Sequence, residues 1–261
     1  MTFDLEYLRT KKAFICDMDG VIYHGNQILP GVAHFIAWLQ KEQKAFLFLT
    51  NNSERTPREL HEKLKWMGLD IGEEHFYTSA LATAAFLKSQ KPNGSAYVIG
   101  QAGVINALYD AGFTMNDRDP DYVVIGESSE YSYAKICRAV HHIRNGACLI
   151  GTNPDLTGPV EGGIIPATGA LMAPIELATG AKAYFVGKPN PLMMRHALKK
   201  FGQQREDTVI IGDRMDTDII AGIESEIATV LVLSGVTTQA DVSTFAYRPD
   251  LILNSVGDIC P

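Results

Sequence analysis

Short, nearly continuous apolar runs alternate with longer amphipathic stretches along almost the whole chain. AFIC (13–16), AFLFLT (45–50), AYVIG (96–100), YVVIG (122–126), ACLIG (147–151), AYFVG (183–187), TVIIG (208–212) and TVLVL (229–233) each predict a strand covered on both faces. Between them, GVAHFIAWLQKEQ (31–43) sets Phe35, Ile36 and Leu39 at helical spacing. TPRELHEKLKWMG (56–68) carries a full start and stop: Thr56 as N-cap, Pro57 at the first helical position, Glu59 three residues after the cap and Gly68 past the end. Buried strands joined by helices mean an α/β protein with parallel sheets. Several runs end in glycine, as expected where a parallel strand turns sharply at its carboxyl edge, the edge at which open sheets bind ligands. So many strands favour two domains, with crossing points near Tyr77–Ala80 and Lys182–Phe185, so that 1–78 and 184–261 form one and 79–183 the other.

The 261 residues, 46% hydrophobic and 20% charged, are ordinary for a globular chain and sufficient for a sizeable core. A formal net charge of -7 argues against a nucleic-acid polymer as partner. A small anionic ligand stays open, provided that its site holds a lysine or a metal ion. The four cysteines, Cys16, Cys137, Cys148 and Cys260, are widely spaced and form no CxxC pair, so they read as reduced thiols rather than a zinc or redox motif. The N-terminal MTFDLEYLRTKK has no apolar h-region, and no window approaches about 18 uncharged apolar residues. A cytoplasmic protein with no membrane partner is expected, and a homo-oligomer is compatible with all of this.

Chemistry concentrates at four strand ends. AFIC runs into Asp17 and Asp19 ahead of Gly20, which alone also suits a turn. LTNNS (49–53) offers a hydroxyl, amides and backbone N–H groups to an oxyanion, or caps a helix. GKPNP (187–191) presents Lys188 from a loop stiffened by Pro189 and Pro191, where a solvated lysine is the ordinary alternative. GDRMDTDI (212–219) holds Asp213, Asp216 and Asp218; Asp216 or Thr217 could cap the next helix, but Asp213 is harder to explain in that way. Gathered at one sheet edge, these groups solve one problem. Carboxylates repel each other and a phosphate unless a hard cation joins them, and Mg²⁺ on Asp17, Asp213 and the Asp19 backbone carbonyl removes that penalty. Thr50, Asn51 and Lys188 then hold phosphoryl oxygens, Asp17 is free to attack phosphorus, and Asp19 handles the protons.

The order DMDGV, LTN, GKP, GDRMDTD resembles the four motifs of the haloacid dehalogenase-like hydrolases, and TNNS with GKPNP and GDRMDTDI is similar to the NagD-type phosphatases among them. The resemblance covers nearly the whole chain. It implies a Rossmannoid parallel-sheet core with an inserted α/β cap domain, and a Mg²⁺-dependent phosphatase of small phosphorylated metabolites, with nucleoside monophosphates the favoured class. Sugar phosphates, pyridoxal phosphate, or transfer of the phosphoryl group to a sugar remain as alternatives. It implies Asp17 as nucleophile, Asp19 as acid and base, Thr50, Asn51 and Lys188 on phosphate, Asp17, Asp19 and Asp213 on Mg²⁺, and Asp218 behind them.

The Gly-, Pro- and Thr-rich stretch 150–171 reads as a long loop of the cap, with Asn153, Asp155 and Thr168 as candidate substrate contacts. His141 and His142 read as a partly exposed helical pair with no third ligand close by. Trp38, Trp66 and Met67 fall at helical positions suited to core packing. His24 flanks the nucleophile loop without an assigned role. A phosphorylation sensor is the non-enzymatic alternative; Asp19 argues against it, because a sensor gains nothing from a built-in hydrolytic acid.

Overall fold

The apolar runs become strands. In a computed structural model, which describes residues 3–160 and 162–261, these are Ala13–Cys16 (β1), the ribbon Tyr23–His24 (β2) and Gln27–Ile28 (β3), Ala45–Thr50 (β4), Phe76–Thr78 (β5), Ser95–Ile99 (β6), Thr114–Met115 (β7), Tyr122–Ile125 (β8), Cys148–Gly151 (β9), the hairpin Thr157–Val160 (β10) and Gly163–Pro166 (β11), Tyr184–Phe185 (β12), Thr208–Gly212 (β13), Ala228–Val232 (β14) and Leu251–Leu253 (β15). They divide between two compact units. The first comprises the chain up to Thr50, His61–Tyr77 and Lys188–Pro261; the second comprises Asn51–Leu60 and Thr78–Gly187.

In the first unit six strands lie in the order β15-β14-β13-β1-β4-β5. The central strand β1 is parallel to both neighbours, with Ala13 opposite Thr208 and Ala45, and Cys16 opposite Ile211 and Phe48. All of β1 and β13 is buried, which is why neither shows polar alternation. Helix Val32–Lys41 lays Val32, Phe35, Ile36, Trp38 and Leu39 inward. There Phe14 meets Phe35 and Trp38 edge-on, at ring-centroid distances of 6.1 and 5.6 Å. Each such aromatic contributes about 1.5–3 kcal/mol by burial, which holds the sheet's carboxyl edge on a rigid base.

The second unit has its own five-stranded sheet, ordered β12-β9-β8-β6-β7 and parallel in every pairing. Its core gathers Tyr97, Ile99, Val123, Ile125, Leu149, Met172 and Ile175. Both units are thus α/β, as the apolar runs require. The sequence places the return to the first domain at residue 184. However, β12 pairs with Ile150–Gly151 of β9, so the second unit runs on to Gly187, and Asn51–Leu60 also belongs to it.

Other departures have local causes. Stretch 150–171 contains the antiparallel hairpin β10–β11 and the start of helix Thr168–Thr179, so it is not one irregular loop. Trp66 is 76% exposed, because the buried stripe of its helix runs through Leu60 and Leu64 and leaves the last turn outside. His142 is buried beside the Tyr97 ring, at 5.1 Å between centroids, and only His141 is exposed. Trp38 is buried as expected. The four cysteines carry no disulfide, and no helix of the described residues is long and apolar enough to cross a membrane.

Candidate functional site

Beyond Cys16 the β1 ladder continues for one residue, Asp17 donating its backbone N–H to Ile211 at 2.8 Å. The chain then closes a tight turn in which Ile22 donates to the Met18 carbonyl at 2.8 Å. Met18, Val21 and Ile22 are buried and anchor this turn, and Asp17 and Asp19 stay partly exposed. Gly20 adopts φ +79, and a Cβ there would come within 2.5 Å of the Asp213 carboxylate. Only glycine lets the turn approach that closely.

The next strand end supplies the partner acids. Asp213 follows β13, and the chain then winds through one π-helical turn, Met215–Ile219, into helix Ile220–Glu224. That wide turn folds Asp218 back against the strand, where its carboxylate accepts the Arg214 N–H at 3.2 Å. Asp213 accepts the Val236 N–H at 2.7 Å from the loop after β14, and Gly235 leaves no room for a side chain beside it.

Lys188 joins the two strand ends. It is 2% exposed, and its ammonium donates to Asp17 Oδ1 at 2.5 Å, Asp218 Oδ1 at 2.6 Å and the Leu49 carbonyl at 3.3 Å, a use for all three of its hydrogens. It is therefore not a solvated surface lysine. One oxygen from each of Asp17, Asp213 and Asp218 lies within 4.8 Å of the others. Thr50, at the end of β4, is buried in the same unit.

Three acids face one base in a buried place. Burial drives the Asp17 carboxyl up; Lys188 pulls it down, Asp218 and Asp213 push it further up, and it settles well above the ordinary range. Burial and then Asp218 push Asp213 up to about 7. Burial disfavours the Lys188 ammonium, but Asp17 and Asp218 outweigh that and hold its pKa above the usual lysine value. Burial raises Asp19 too, against the opposing pull of Lys63, of a hydrogen bond from Tyr23 and of His24. Burial and mutual repulsion thus disfavour the charged forms of these acids, and a cation among them would favour those forms again. An all-oxygen donor set suits a hard divalent ion, so the residues fit the metal that the sequence motifs imply.

The remaining candidates lie in the second unit. The Asn51 carbonyl accepts from Ser79 Oγ at 2.5 Å and Asn153 Nδ2 at 2.8 Å, and its amide donates to Asp155 at 2.7 Å. Asn153 and Thr168 are wholly buried, the Thr168 hydroxyl lying 3.2 Å from that of Thr152. The cap residues named as substrate contacts thus divide: Asn153 and Thr168 are closed inside a polar cluster, and Asp155 is partly exposed against Asn51. His24 is exposed.

Sequence reasoning missed four supports. Tyr23 donates to Asp19 at 3.2 Å, and the Lys63 ammonium lies 3.8 Å from the centre of the Tyr23 ring. The Val236 amide left no mark in the sequence, because every residue but proline carries one. Glu127, next to Gly126 at the end of YVVIG, did carry a strand-then-glycine signal.

Comparison with known proteins identifies the family of the chain. Residues 14–114 match the family model described as haloacid dehalogenase-like hydrolase, and residues 185–259 match the one described as HAD-hydrolase-like. The chain is 47% identical over 247 residues to a dihydroxyacetone phosphatase of Corynebacterium glutamicum, covering 95% of this chain and 90% of that protein. It is 42% identical over 250 residues to the ribonucleotide monophosphatase NagD of Escherichia coli, covering 96% and 98%. The solved structure of NagD from E. coli K-12 superposes with a TM-score of 0.91 over 96% of this chain and 99% of that one. With the motifs at the strand ends and these matches along nearly its full length, the chain belongs to the haloacid dehalogenase-like hydrolases and is a phosphatase of the NagD type.

Proposed function

We propose that this phosphatase hydrolyses phosphomonoesters of small metabolites, nucleoside monophosphates foremost, with Mg²⁺ and through an aspartyl-phosphate on Asp17. The observation that carries the reading is the buried Lys188 ammonium shared between Asp17 and Asp218, beside the oxygen cluster of Asp17, Asp213 and Asp218. Asp17 attacks phosphorus, and the bond from phosphorus to the ester oxygen breaks. Asp19 gives its proton to the departing alkoxide. Water then attacks the aspartyl-phosphate, Asp19 takes a proton from it, and inorganic phosphate leaves with Asp17 restored. Burial raises the Asp19 pKa, the direction that keeps a proton at hand for the first step.

Lys188, with Thr50 and Asn51, holds the phosphoryl oxygens as charge develops on them. Mg²⁺ held by Asp17, the Asp19 carbonyl and Asp213 would supply neutralisation of the acids and the phosphate, with Asp218 fixing Lys188 from behind. The second unit serves as a cap that selects small substrates. Asp155 is its candidate substrate contact, and Asn153 and Thr168 support the Asn51–Asp155 pair from within the unit.

A second reading of the substrate, small polyol or ketose phosphates, is favoured by the 47% identity to a protein named for dihydroxyacetone. Phosphate release from nucleoside monophosphates, sugar and triose phosphates, pyridoxal phosphate and p-nitrophenyl phosphate, with and without Mg²⁺, tests both. Mg²⁺-dependent release that Asp17→Asn abolishes supports the mechanism, and the ranking of kcat/KM decides the class. Exchange of phosphate into a sugar without net release points to a transferase, and no turnover of any compound sinks the proposal.

A further inference from the structure

The carboxyl edge of the second unit's sheet grips the segment that follows Thr50. Three glycines mark the contact. A Cβ on Gly126 would lie 2.6 Å from Ser53 Oγ; on Gly187, 2.6 Å from the Thr152 carbonyl and 2.7 Å from Asn51 Oδ1; on Gly103, 2.7 Å from the Arg55 carbonyl. The Gly103 N–H also donates to the Glu54 carbonyl at 2.8 Å. Residues 51–55 therefore pack closely within this unit, backbone against backbone at Gly103.

At the centre of the grip is Glu127, a carboxylate 8% exposed that pairs with no lysine or arginine among the described residues. Buried carboxylates normally have a cation or a full set of donors. Here the donors are neutral. Glu127 Oε2 accepts from the Ser53 N–H at 3.0 Å and from the Ser53 hydroxyl, and Oε1 accepts from Asn153 Nδ2 at 2.7 Å. The Glu127 N–H returns to Ser53 Oγ at 3.2 Å, closing a ring.

The Asn153 amide then faces two acceptors at once, the Glu127 carboxylate and the Asn51 carbonyl at 2.8 Å. Only the NH₂ side of an amide can serve both, so the carboxylate dictates which way Asn153 is turned. Asn153 Oδ1, facing the other way, accepts the Asp155 N–H at 3.2 Å, and Asp155 in turn receives the Asn51 side chain at 2.7 Å. Asn51 is thus held by backbone and side chain together, through one amide whose orientation Glu127 sets.

We infer that Glu127 is a positioning residue for the phosphoryl-transfer site. Through Asn153 and Ser53 it fixes the residue after Thr50, so that Asn51 stands ready when charge develops on the phosphoryl group. This rests on the reading of Asn51 as a phosphate-holding residue. A group that matters more to the transition state than to the ground state changes kcat and the binding of a transition-state mimic, with little effect on KM.

The test uses the full chain with p-nitrophenyl phosphate as substrate, and orthovanadate and inorganic phosphate as inhibitors, well below each variant's melting temperature. Glu127→Ala is expected to lower kcat at least tenfold and to raise the vanadate Ki by a similar factor, with KM and the phosphate Ki within threefold of wild type. Glu127→Gln keeps the volume and one acceptor, and should fold and retain most of the activity. Asn153→Asp keeps the shape but places a third acceptor between Glu127 and the Asn51 carbonyl, and should be at least as impaired as Glu127→Ala. Adding Glu127→Gln to Asn153→Asp restores a donor between them and should recover at least threefold in kcat, a non-additivity that general destabilisation does not produce.

Kcat and vanadate inhibition within twofold of wild type in Asn153→Asp and in Glu127→Ala, or in Asn153→Asp alone if the alanine variant does not fold, would overturn the inference. So would a double variant no better than Asn153→Asp. Wild-type protein that neither releases phosphate nor responds to vanadate would instead defeat the phosphatase mechanism, and this inference with it.

Discussion

One acid of the site, Asp213, is placed by neighbours that have no side chain or lend only their backbone. Asp213 is held by the Val236 N–H, and Gly235 makes room for it. Gly235→Ala is expected to push Asp213 off this amide and lower Mg²⁺-stimulated phosphate release at least tenfold, with a far-ultraviolet circular dichroism spectrum like wild type. Titration gives a second expectation, for protein stripped of metal by chelation. Burial and Asp218 raise Asp213 from the ordinary aspartate range, near 3.8, to about 7. A carboxyl with a raised folded-state pKa contributes stability below its unfolded value, and that contribution is lost as pH rises through the folded one. The metal-free protein should therefore melt at a lower temperature at pH 8 than at pH 5, and added Mg²⁺ should raise the melting temperature more at pH 8. Thermal denaturation in four samples, two pH values with and without Mg²⁺, checks both signs, and equal Mg²⁺ shifts at the two pH values would count against a cation among these acids. At this scale the sequence was legible where chemistry lives in side chains at strand ends, as with Asp17, Lys188 and Asp213. It was silent on the Val236 amide, because every residue but proline carries one.

Elements were legible where one local rule decided them. The eight apolar runs correspond to strands, and helix Pro57–Trp66 begins at the expected capping box: the Glu59 N–H donates to Thr56 Oγ1 at 3.2 Å and the Thr56 N–H to Glu59 at 2.8 Å. Replacing Thr56 by Ala should cost about 1 kcal/mol, a fall in melting temperature of about 2–4 °C for a chain of this size. Trp66→Ser, at the exposed end of the same helix, should stay within about 0.5 kcal/mol of wild type by denaturant unfolding, although a core reading would make it severe. Helical spacing showed that Trp66 faced some side of the helix; which side was buried depended on the stripe through Leu60 and Leu64. β12, expected over 183 to 187, is a regular strand only over Tyr184–Phe185, but its backbone bonds run on, Val186 N–H donating to the Gly151 carbonyl at 3.1 Å and Gly187 N–H to that of Thr152 at 2.7 Å. Asn153 and Thr168 show the same limit in polar residues. Composition marks their segment as a polar loop, but whether such groups face a ligand or satisfy each other depends on Glu127 and Ser53, far away in sequence.

At the scale of the whole chain, two parallel sheets are assembled from interleaved segments, and the chain passes from one unit to the other between Thr50 and Asn51, inside a single motif. No Pro- or Gly-rich linker marks that point, so composition alone could not reveal it. The three carboxylates that could hold a cation all belong to the first unit. Ligand binding stabilises the state that binds, by about 2.7 kcal/mol at a free concentration one hundred times Kd. Backbone amides whose exchange requires the first unit to open should then slow by about two orders of magnitude when Mg²⁺ saturates the site. Hydrogen exchange followed by mass spectrometry is expected to show this protection in β1, β13, β14 and the loop through Val236. Amides of β6, β8 and β9, in the sheet of the second unit, should change less than about twofold, because opening that sheet exposes none of the ligands. Equal protection in both sheets would mean that the units open together as one cooperative body, and the strands at Ala13–Cys16 and Ser95–Ile99 would then share a single stability in spite of their separate cores.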